Sequence, residues 1–492
     1  MHPRRPARTL TRRQLLTVGG GVALAPAALL AWWRPWRSLT TPSTSAPTPA
    51  PPPPTRTPER IALPTERPRP SAAPPPTSTP AAIATAPTRT AAPSAATTAS
   101  ATAGTLLYLS TSDGQRGIVA VNADGSTRRL LAPGTYDTLA VSANGSRLAT
   151  IGAIPNGGGL NQLTTLDDNG RTLARFPIER NLNGPPAWSP NGTALLCSVQ
   201  ANDPSSANPR WETWVFGDDG ARQIAPPNAA DQLLQGWTPD GRIAFLTNAD
   251  PDQPREWTLW TTSATGTDLK RVISGRFNPL AWDRSGSNLY ALTYADPDAT
   301  SAPLAQLVAI ERLTGDVRYL ASADALAVNV LNLPREPRTY RFDFVYPSPD
   351  GALFALGVAR NYTLGSRPPP DEYGATSVIF MRRNSQITGK APLPPGNQRG
   401  PAAWSPDGTR LAIVLAANTE SDAQLLVFDT AGTRLSDQPI ERAYLGLAPQ
   451  LAWSRDSQLL SHTTPRILTV SAFDPPRTLF LGPGGTYPAW RP

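Results

Sequence analysis

The chain contains few of the residues that usually carry nucleophilic or metal-dependent chemistry. Its 492 residues include one cysteine and two histidines. The single cysteine, Cys197, excludes an intrachain disulfide and a cysteine cluster around a metal. His2 lies near the N-terminus, so a Ser-His-Asp arrangement would have to use His462, which stands in a strand-like run. No Gly-x-Ser-x-Gly turn is present. The composition therefore argues against zinc enzymes and serine hydrolases, and it predicts no metal and no cofactor.

An excess of one charge is also absent from most of the chain. The net charge of +8 comes from 45 Lys and Arg against 37 Asp and Glu. Residues 1–100 hold 12 arginines and two glutamates, so 33 basic and 35 acidic residues remain beyond them. A nearly neutral remainder provides no basic face for phosphates. The sequence therefore predicts no nucleic-acid partner.

The N-terminus has the pattern of an export segment. Arg12 and Arg13 precede an uncharged run over residues 15–33, and this arginine pair resembles the twin-arginine export signal of bacteria. The 19 residues of the run can just span a bilayer, which favours an uncleaved membrane anchor over cleavage and secretion. Residues 1–37 are therefore predicted to be a twin-arginine-like signal peptide or signal anchor, with the rest of the chain outside the cytoplasm.

Proline is concentrated in the segment that follows. Residues 41–100 contain 17 prolines, and most of their other residues are Ala, Thr and Ser. Such a composition buries too little apolar surface to offset the entropy of ordering the chain. Residues 38–104 are therefore predicted to be a disordered Pro/Ala/Thr/Ser-rich linker that acts as a spacer.

A short phrase, Trp-Ser-Pro-Asp-Gly or a variant of it, recurs along the rest of the chain. Six of the thirteen tryptophans head a full or partial copy, and two further copies lack the tryptophan. The eight positions are Val141, Trp188, Trp237, Trp282, Tyr346, Trp404, Trp453 and Trp490. Self-similarity of this kind is the mark of a repeat architecture.

One repeat, residues 400–452, has the signals of four short strands. Its Ser405-Pro406-Asp407-Gly408 favours a tight turn, and apolar runs on either side alternate with polar loops. Four strands per repeat predict a propeller blade, in which the recurring tryptophan fills the gap between neighbours. We therefore predict an all-β, single-ring β-propeller over residues 105–492, with eight four-stranded blades and seven as the alternative. The C-terminal strand around Trp490 is expected to close the ring by pairing with the first blade.

The recurring phrase and the apolar strand after it resemble the repeat of TolB-type periplasmic propellers, a WD-like bacterial family. The resemblance covers residues 105–492 and implies an interaction platform in the cell envelope, because the motif itself carries no catalysis. Two departures stand out: the acidic loop after the second strand is only loosely kept, and the helical N-terminal domain of TolB is missing. No Tol-system partner is therefore carried over.

Loop carboxylates support an alternative, a carbohydrate-active or other hydrolytic propeller. Paired acids can cleave glycosidic bonds, and clustered oxygens can bind calcium, although Asp-Pro pairs more often only make turns. The candidates are Asp250, Asp252, Asp296, Asp298, Asp371 and Glu372. The Asn-x-Ser/Thr triplets at Asn144, Asn191 and Asn361 are interpreted as turn formers rather than glycan acceptors.

One rim of the propeller is the predicted binding face. The loops joining second and third strands lie there, and Trp, Tyr and Arg are the residues enriched at interface hot spots. The residues predicted to bind are Trp211, Trp257, Tyr362, Arg367, Asp371, Glu372 and Tyr373. A competing interpretation places Trp211, Trp214, Trp257 and Trp260 in the core. The predicted protein is thus a monomeric, exported, membrane-tethered and non-catalytic module, whose partner is an unknown envelope protein or glycan.

Overall fold

A computed structural model describes most of the chain beyond residue 103. The described residues are 104–110, 116–153, 161–178, 180–201, 210–224, 232–248, 256–294, 305–335, 339–361, 374–394, 397–417, 423–440, 450–463, 467–473, 476–483 and 485–491. The predicted export segment, the anchor at residues 15–33 and nearly all of the predicted linker lie outside these ranges. Within them, no helix is both long and apolar enough to cross a membrane.

Eight four-stranded antiparallel sheets make up the described residues. Blade 1 holds β1 (Thr105–Ser110), β2 (Gly117–Asn122), β3 (Arg129–Pro133) and β32 (Thr486–Arg491). Blade 2 holds β4 (Thr138–Val141), β5 (Arg147–Ala153), β6 (Asn161–Asp167) and β7 (Thr172–Ile178). Blade 3 holds β8 (Leu182–Trp188), β9 (Ala194–Gln200), β10 (Trp211–Gly217) and β11 (Gly220–Ile224). Blade 4 holds β12 (Gln232–Trp237), β13 (Ile243–Thr247), β14 (Trp257–Thr262) and β15 (Lys270–Gly275).

The second half of the ring repeats the same order. Blade 5 holds β16 (Phe277–Trp282), β17 (Asn288–Tyr294), β18 (Ala305–Glu311) and β19 (Val317–Ser322). Blade 6 holds β20 (Tyr340–Pro347), β21 (Leu353–Arg360), β22 (Ser377–Arg382) and β23 (Ile387–Pro392). Blade 7 holds β24 (Asn397–Trp404), β25 (Arg410–Ala417), β26 (Ala423–Asp429) and β27 (Arg434–Ile440). Blade 8 holds β28 (Gln450–Trp453), β29 (Leu459–Thr463), β30 (Ile467–Phe473) and β31 (Pro476–Pro483).

The ring closes through its last strand, as the sequence predicts. Strand β32 pairs antiparallel with β1, and Trp490 stands opposite Leu106. Blade 1 is therefore built from both ends of the propeller sequence. Its strand β1 is paired on both sides, by β2 and β32, so it is not left as a sheet edge. The prediction of eight four-stranded blades is confirmed, and the alternative of seven is wrong.

The middle strands are apolar on both faces because blades stack face to face. In β25, Leu411 and Ile413 pack in a cluster with blade 6, whereas Ala412 and Val414 pack in a cluster with blade 8. A strand buried on both faces reads as a continuous apolar run rather than an alternating one. This explains runs such as Leu-Ala-Ile-Val after each turn.

The recurring phrase encodes a self-contained turn between the first and second strands of a blade. In blade 7, the buried Ser405 hydroxyl donates to Asp407 Oδ1 at 2.6 Å and accepts the Arg410 N–H at 2.9 Å. Asp407 Oδ1 also accepts the Thr409 N–H at 3.0 Å. Gly408 takes a φ of +69°, which glycine adopts without strain. Burial alone would raise the pKa of Asp407, but hydrogen bonds from Ser405 and Thr409 hold that pKa below its usual value.

Other blades reuse this turn with small changes of chemistry. In the equivalent pairs the hydroxyl donates to the side-chain Oδ1 of Asn or Asp: Ser142–Asn144, Ser189–Asn191, Thr238–Asp240, Ser348–Asp350 and Ser454–Asp456. The asparagines at two of these positions use their Oδ1 as the carboxylates do, so Asn144 and Asn191 are confirmed as turn formers. Blade 5 reverses the order, with Ser285 donating to Asp283 at 2.9 Å.

Five signature tryptophans each bond their own blade to the blade before it. Each indole Nε1–H donates to a backbone carbonyl of the preceding blade, at or next to that blade's own signature position. The pairs are Trp188–Ala140 (3.2 Å), Trp237–Ala187 (3.0 Å), Trp404–Tyr346 (2.9 Å), Trp453–Ala403 (2.9 Å) and Trp490–Ala452 (3.0 Å). These rings are therefore packing elements with a satisfied polar end, in agreement with their interpretation as inter-blade wedges.

A junction between two neighbouring blades is here called a seam. Three seams lack this tryptophan bond and carry another contact. Between blades 1 and 2, Arg491 Nη1 donates to the Asp168 carbonyl at 2.6 Å. Between blades 4 and 5, Arg312 forms an ion pair with Asp240 at 2.6 Å. Between blades 5 and 6, the buried Tyr290 hydroxyl donates to the Gly351 carbonyl at 2.8 Å. Blade 5 does have its tryptophan, but Trp282 Nε1 is buried and has no partner among the described residues.

A short helix interrupts the all-β pattern between blades 5 and 6. Helix α1 (Ala323–Asn329) begins at Ser322, whose hydroxyl accepts the Ala325 N–H at 3.2 Å. Leu326 and Ala327 are buried in the core shared by the two blades. The Ser-Ala-Asp start is a recognisable helix cap, but the all-β prediction included no helix in this stretch.

Candidate functional site

Two of the predicted binding residues stand at equivalent points of neighbouring blades. Trp211 begins β10, the third strand of blade 3, and Trp257 begins β14, the third strand of blade 4. Both lie where the loop between second and third strands ends, opposite the signature turns. We call this end of the propeller the loop rim. Both residues are half-buried.

The other predicted binding residues lie outside the described ranges. These are Tyr362, Arg367, Asp371, Glu372 and Tyr373, together with the loop carboxylates Asp250, Asp252, Asp296 and Asp298. The described chain reaches the long loop on each side, at Asn361 after β21 and at Gly374 before β22. Asn361 N–H donates to the Thr339 carbonyl at 2.5 Å, which holds the start of the loop against the preceding inter-blade connection.

An acid bridges two groups beside Trp211. Glu212 Oε2 accepts the Trp214 indole N–H at 3.1 Å and forms an ion pair with Arg180 at 3.3 Å. Trp214 stacks on Phe216 with ring centroids 6.3 Å apart, and both rings belong to the core between blades 2 and 3. Trp214 is therefore structural. Its contacts fix the beginning of β10, which carries Trp211.

In blade 4, likewise, one tryptophan of the third strand is structural and the other is only partly in the core. Trp260 Nε1 donates to Thr247 Oγ1 at 2.9 Å, and the ring packs against the core between blades 3 and 4. Trp257 packs against the core between blades 4 and 5 while remaining half-buried. The interpretation of these residues as core thus accounts for Trp214 and Trp260 and for part of Trp257. Trp211 belongs to none of the buried clusters of described residues.

One charged residue was missed by the sequence analysis. Asp343 lies on β20, the innermost strand of blade 6, and is 9% exposed. Its Oδ2 accepts the Ala375 N–H at 3.2 Å, and its Oδ1 lies 3.5 Å from Arg341 Nη1. The bond to Ala375 ties the inner strand to the end of the long loop that precedes β22. An acid within the apolar run Phe342 to Val345 was the signal available in the sequence.

The two residues most capable of covalent or acid–base chemistry are buried. Cys197 is 3% exposed, and burial raises the pKa of its thiol to about 12. His462 is 5% exposed, and burial lowers the pKa of its imidazole to about 4. A reactive cysteine or general base instead needs access and a pKa near the working pH. Within the described ranges, no group of three or more His, Cys, Asp or Glu residues could hold a metal ion.

Comparison with known proteins shows no family for this chain. No protein-family model matches the chain, and no curated protein sequence matches it. Similar solved structures include a eukaryotic initiation factor, 14% identical with a TM-score of 0.49, covering 80% of this chain and 99% of that one. A prolyl endopeptidase is 12% identical with a TM-score of 0.47, covering 73% and 51%. The C-terminal WD40 domain of Sif2 is 12% identical with a TM-score of 0.42, covering 70% and 85%. The likeness is one of fold.

Proposed function

We propose that the chain is an exported, membrane-tethered and non-catalytic binding module of the bacterial cell envelope, with a TolB-like propeller that binds through its loop rim. The observation that carries this proposal is the pair Trp211 and Trp257, half-buried at equivalent points of adjacent blades. Tryptophans that remain partly accessible on a rigid scaffold provide contact area at little cost in conformational entropy.

The contacts behind Trp211 support binding by a preformed surface. Arg180, Glu212 and Trp214 hold the start of β10, so a ligand at this end of the strand meets backbone that is already ordered. Preorganisation of this kind increases affinity because less freedom is lost on binding. The long loop with Tyr362, Arg367, Asp371, Glu372 and Tyr373 joins the same rim in this proposal.

Export and tethering rest on the sequence. Arg12 and Arg13 supply the export signal, residues 15–33 the anchor and residues 38–104 the spacer that carries the propeller of residues 105–492 away from the membrane. TolB-like membership rests on the recurring Trp-Ser-Pro-Asp-Gly. The absence of catalysis is part of the proposal, and it is supported by the burial of both Cys197 and His462.

The test compares rim variants in one binding experiment. The full-length chain in detergent is immobilised and exposed to solubilised envelope, and the captured protein or glycan is identified and titrated against the purified chain. Trp211→Ala and deletion of residues 361–374 should each weaken this binding at least tenfold. The control is Arg434→Ala, at the opposite end of the propeller, which should leave binding unchanged. Equal binding by all variants would remove the loop rim from the proposal, and turnover of a captured glycan would favour the hydrolytic alternative.

A further inference from the structure

The signature turn of blade 4 is one residue shorter than the others. In blade 7 the Ser405 hydroxyl accepts the N–H of Arg410, five residues further on, at 2.9 Å. The equivalent bond to a side-chain oxygen also spans five residues in blades 2, 3, 5, 6 and 8. In blade 4 the Thr238 hydroxyl accepts the N–H of Arg242, only four residues further on, at 2.9 Å. The turn of blade 4 therefore lacks one residue that the other six turns have.

The seam between blades 3 and 4 contains a cavity beside this shorter turn. A Cβ placed on Gly408 of blade 7 would meet Ser348 of blade 6 at 3.7 Å, whereas a Cβ on Gly241 of blade 4 would have no atom within 4 Å. The cavity has a volume of about 270 Å³, and its walls include Pro190, Asn191, Thr193, Trp237, Pro239 and Ala264. Pockets for drug-sized ligands enclose about 300–1,000 Å³, so this cavity has room for one small ring.

The seam between blades 7 and 8 shows which chemistry fits this position. Ser457 of blade 8 takes the place of the turn glycine with a φ of +62°, and its hydroxyl accepts the Asp407 N–H at 3.1 Å. The equivalent residues in the seam between blades 3 and 4 are Gly241 and Asn191. Because Gly241 has no side chain, it offers no such hydroxyl to the Asn191 N–H. A ligand in the cavity can supply the missing oxygen.

The side chain of Asn191 adds a second hydrogen-bond donor. Its Oδ1 accepts the Ser189 hydroxyl at 2.7 Å, the Thr193 hydroxyl at 2.9 Å and the Thr193 N–H at 3.2 Å. These bonds assign the oxygen of the amide and leave Nδ2 as a donor for a ligand. The Thr193 hydroxyl donates its proton to Asn191, so it can accept one from a ligand. Blade 3 therefore provides two donors and one acceptor, all of them uncharged.

Asp240 belongs to the wall of the cavity but does not bring a free charge to it. Its Oδ2 forms the ion pair with Arg312 of blade 5 at 2.6 Å. Its Oδ1 accepts the Thr238 hydroxyl at 2.6 Å and would lie 2.8 Å from a Cβ on Gly286 of blade 5. The carboxylate thus points towards blade 5 and away from blade 3. No basic residue lines the cavity within the described part of the chain, so a neutral ligand is favoured over a cation or an anion.

We propose that this cavity binds one neutral hexopyranose ring, either a free hexose or the terminal unit of a glycan. One hydroxyl oxygen of the sugar accepts the Asn191 N–H, as the Ser457 hydroxyl does for Asp407 in its own seam, and another hydroxyl donates to Thr193 Oγ1. The C–H groups of the ring pack against Trp237, because an apolar wall with a few polar groups is typical of small-molecule sites. The site lies at the end of the propeller opposite the loop rim and does not depend on the proposed function.

The test compares sugars that share a ring and differ in charge, with the full-length chain in a detergent that contains no sugar. Ligand-detected NMR titration should show millimolar binding of at least one of glucose, galactose and mannose. The uronate of that hexose and its 6-amino-6-deoxy derivative should each bind at least fivefold more weakly, because the cavity has no partner for either charge. Methyl α- and β-glycosides distinguish the two sources: retained affinity indicates the terminal unit of a glycan, and lost affinity indicates a free hexose.

Two variants with matched controls locate the site. Gly241→Ser copies Ser457 and fills the cavity with the chain's own hydroxyl, so it should weaken hexose binding at least tenfold. Gly408→Ser makes the same change in blade 7, where the glycine already packs against the preceding blade, and should have no effect. Asn191→Asp keeps the turn, since a carboxylate serves it in other blades, but removes the Nδ2 donor and should weaken binding at least fivefold. Asn144→Asp, in the turn of blade 2, is its control.

Four outcomes would overturn the proposal. Absence of binding by all three hexoses would remove the sugar from it. Equal hexose affinity of Gly241→Ser and Gly408→Ser, or of Asn191→Asp and Asn144→Asp, would place sugar binding outside the cavity. Tighter binding of the uronate or of the amino derivative than of the hexose would assign the cavity to a charged ligand. Trp211→Ala should leave hexose binding intact, so failure here is distinguishable from failure of the proposed loop rim.

Discussion

Trp490 donates its indole N–H to the carbonyl oxygen of Ala452 at 3.0 Å and thereby bonds the last strand of the chain to blade 8. The same strand pairs with β1 of blade 1, with Trp490 opposite Leu106. One residue near the C-terminus therefore takes part both in the sheet that closes the ring and in the seam beside it. Four further seams use the same indole-to-carbonyl bond, so the ring is held by a repeated contact and not by closure alone.

The tryptophan bonds should contribute measurably to stability. Trp453→Phe keeps an aromatic ring against Phe473 but leaves the Ala403 carbonyl without its donor. Trp282→Phe is the matched control, because the Trp282 indole N–H is buried without a described partner and its removal leaves no new unsatisfied group. We expect Trp453→Phe to lower the free energy of unfolding by about 1–2 kcal/mol more than Trp282→Phe. Urea unfolding of both variants measures this difference, and equal losses would contradict it.

The buried serine of the signature turn should matter more than its small size suggests. Ser405→Ala removes the acceptor of the Arg410 N–H and a donor to Asp407. Because Ser405 is fully buried, water cannot replace these bonds, and we expect a loss of about 1–3 kcal/mol in the free energy of unfolding. Thr433→Ala, at an exposed turn of the same blade, should change stability by less than about 0.5 kcal/mol. Thermal and urea unfolding measure the loss of unfolding free energy in both variants. Similar losses for Ser405→Ala and Thr433→Ala would contradict a stabilising role of the Ser405 hydrogen bonds.

Much of the fold was predictable because its signals are local. Ser405, Asp407 and Gly408 form a turn from their own side chains and backbone, so the same phrase marks the same point in each blade. Ring closure was predictable because the first blade lacked an inner strand and the sequence around Trp490 supplied one. The missing bond of Trp282 and the burial of Asp343 were not predictable, since both depend on which backbone atoms of a neighbouring segment come close. The contact between Lys270 and the Leu313 carbonyl could not be predicted for a similar reason, because the two residues are distant in sequence and meet only across a seam.

The ion pair between Arg312 and Asp240 should stabilise the seam between blades 4 and 5. The Arg312 side chain is only 14% exposed, so its charge is less screened than that of a surface residue. Asp240 is 35% exposed and stays solvated when its partner is removed, so we expect Arg312→Met to cost about 1 kcal/mol. The comparable exposed pair, Arg434 and Asp437, has both side chains 41% exposed, and Arg434→Met should cost less than about 0.5 kcal/mol. Double-mutant cycles at both pairs measure the two coupling energies, and equal values would contradict the expectation.

The export proposal predicts a strict dependence on the arginine pair. Residues 1–104 fused to a fluorescent protein that folds before export should carry it across the membrane of a bacterium with a twin-arginine pathway. Changing Arg12 and Arg13 together to lysine keeps the charge but removes the recognised pair, and transport should fall at least tenfold. Changing Arg4 and Arg5 to lysine is the control and should have little effect. Equal transport by both variants would place the signal outside the twin-arginine class.

Acidification should destabilise the propeller through His462. The imidazole is 5% exposed and its Nδ1 has no partner among the described residues. Burial lowers its pKa from 6.5 to about 4, so the unfolded chain binds a proton in a pH range where the folded chain does not. Stability is therefore full above pH 6.5 and falls progressively towards pH 4, with a total loss of about 3 kcal/mol from this residue. His462→Gln cannot take up the proton, so the difference in unfolding free energy between it and the unaltered chain should shrink over this range. A difference that stays constant with pH would show that His462 titrates alike in the folded and unfolded chain.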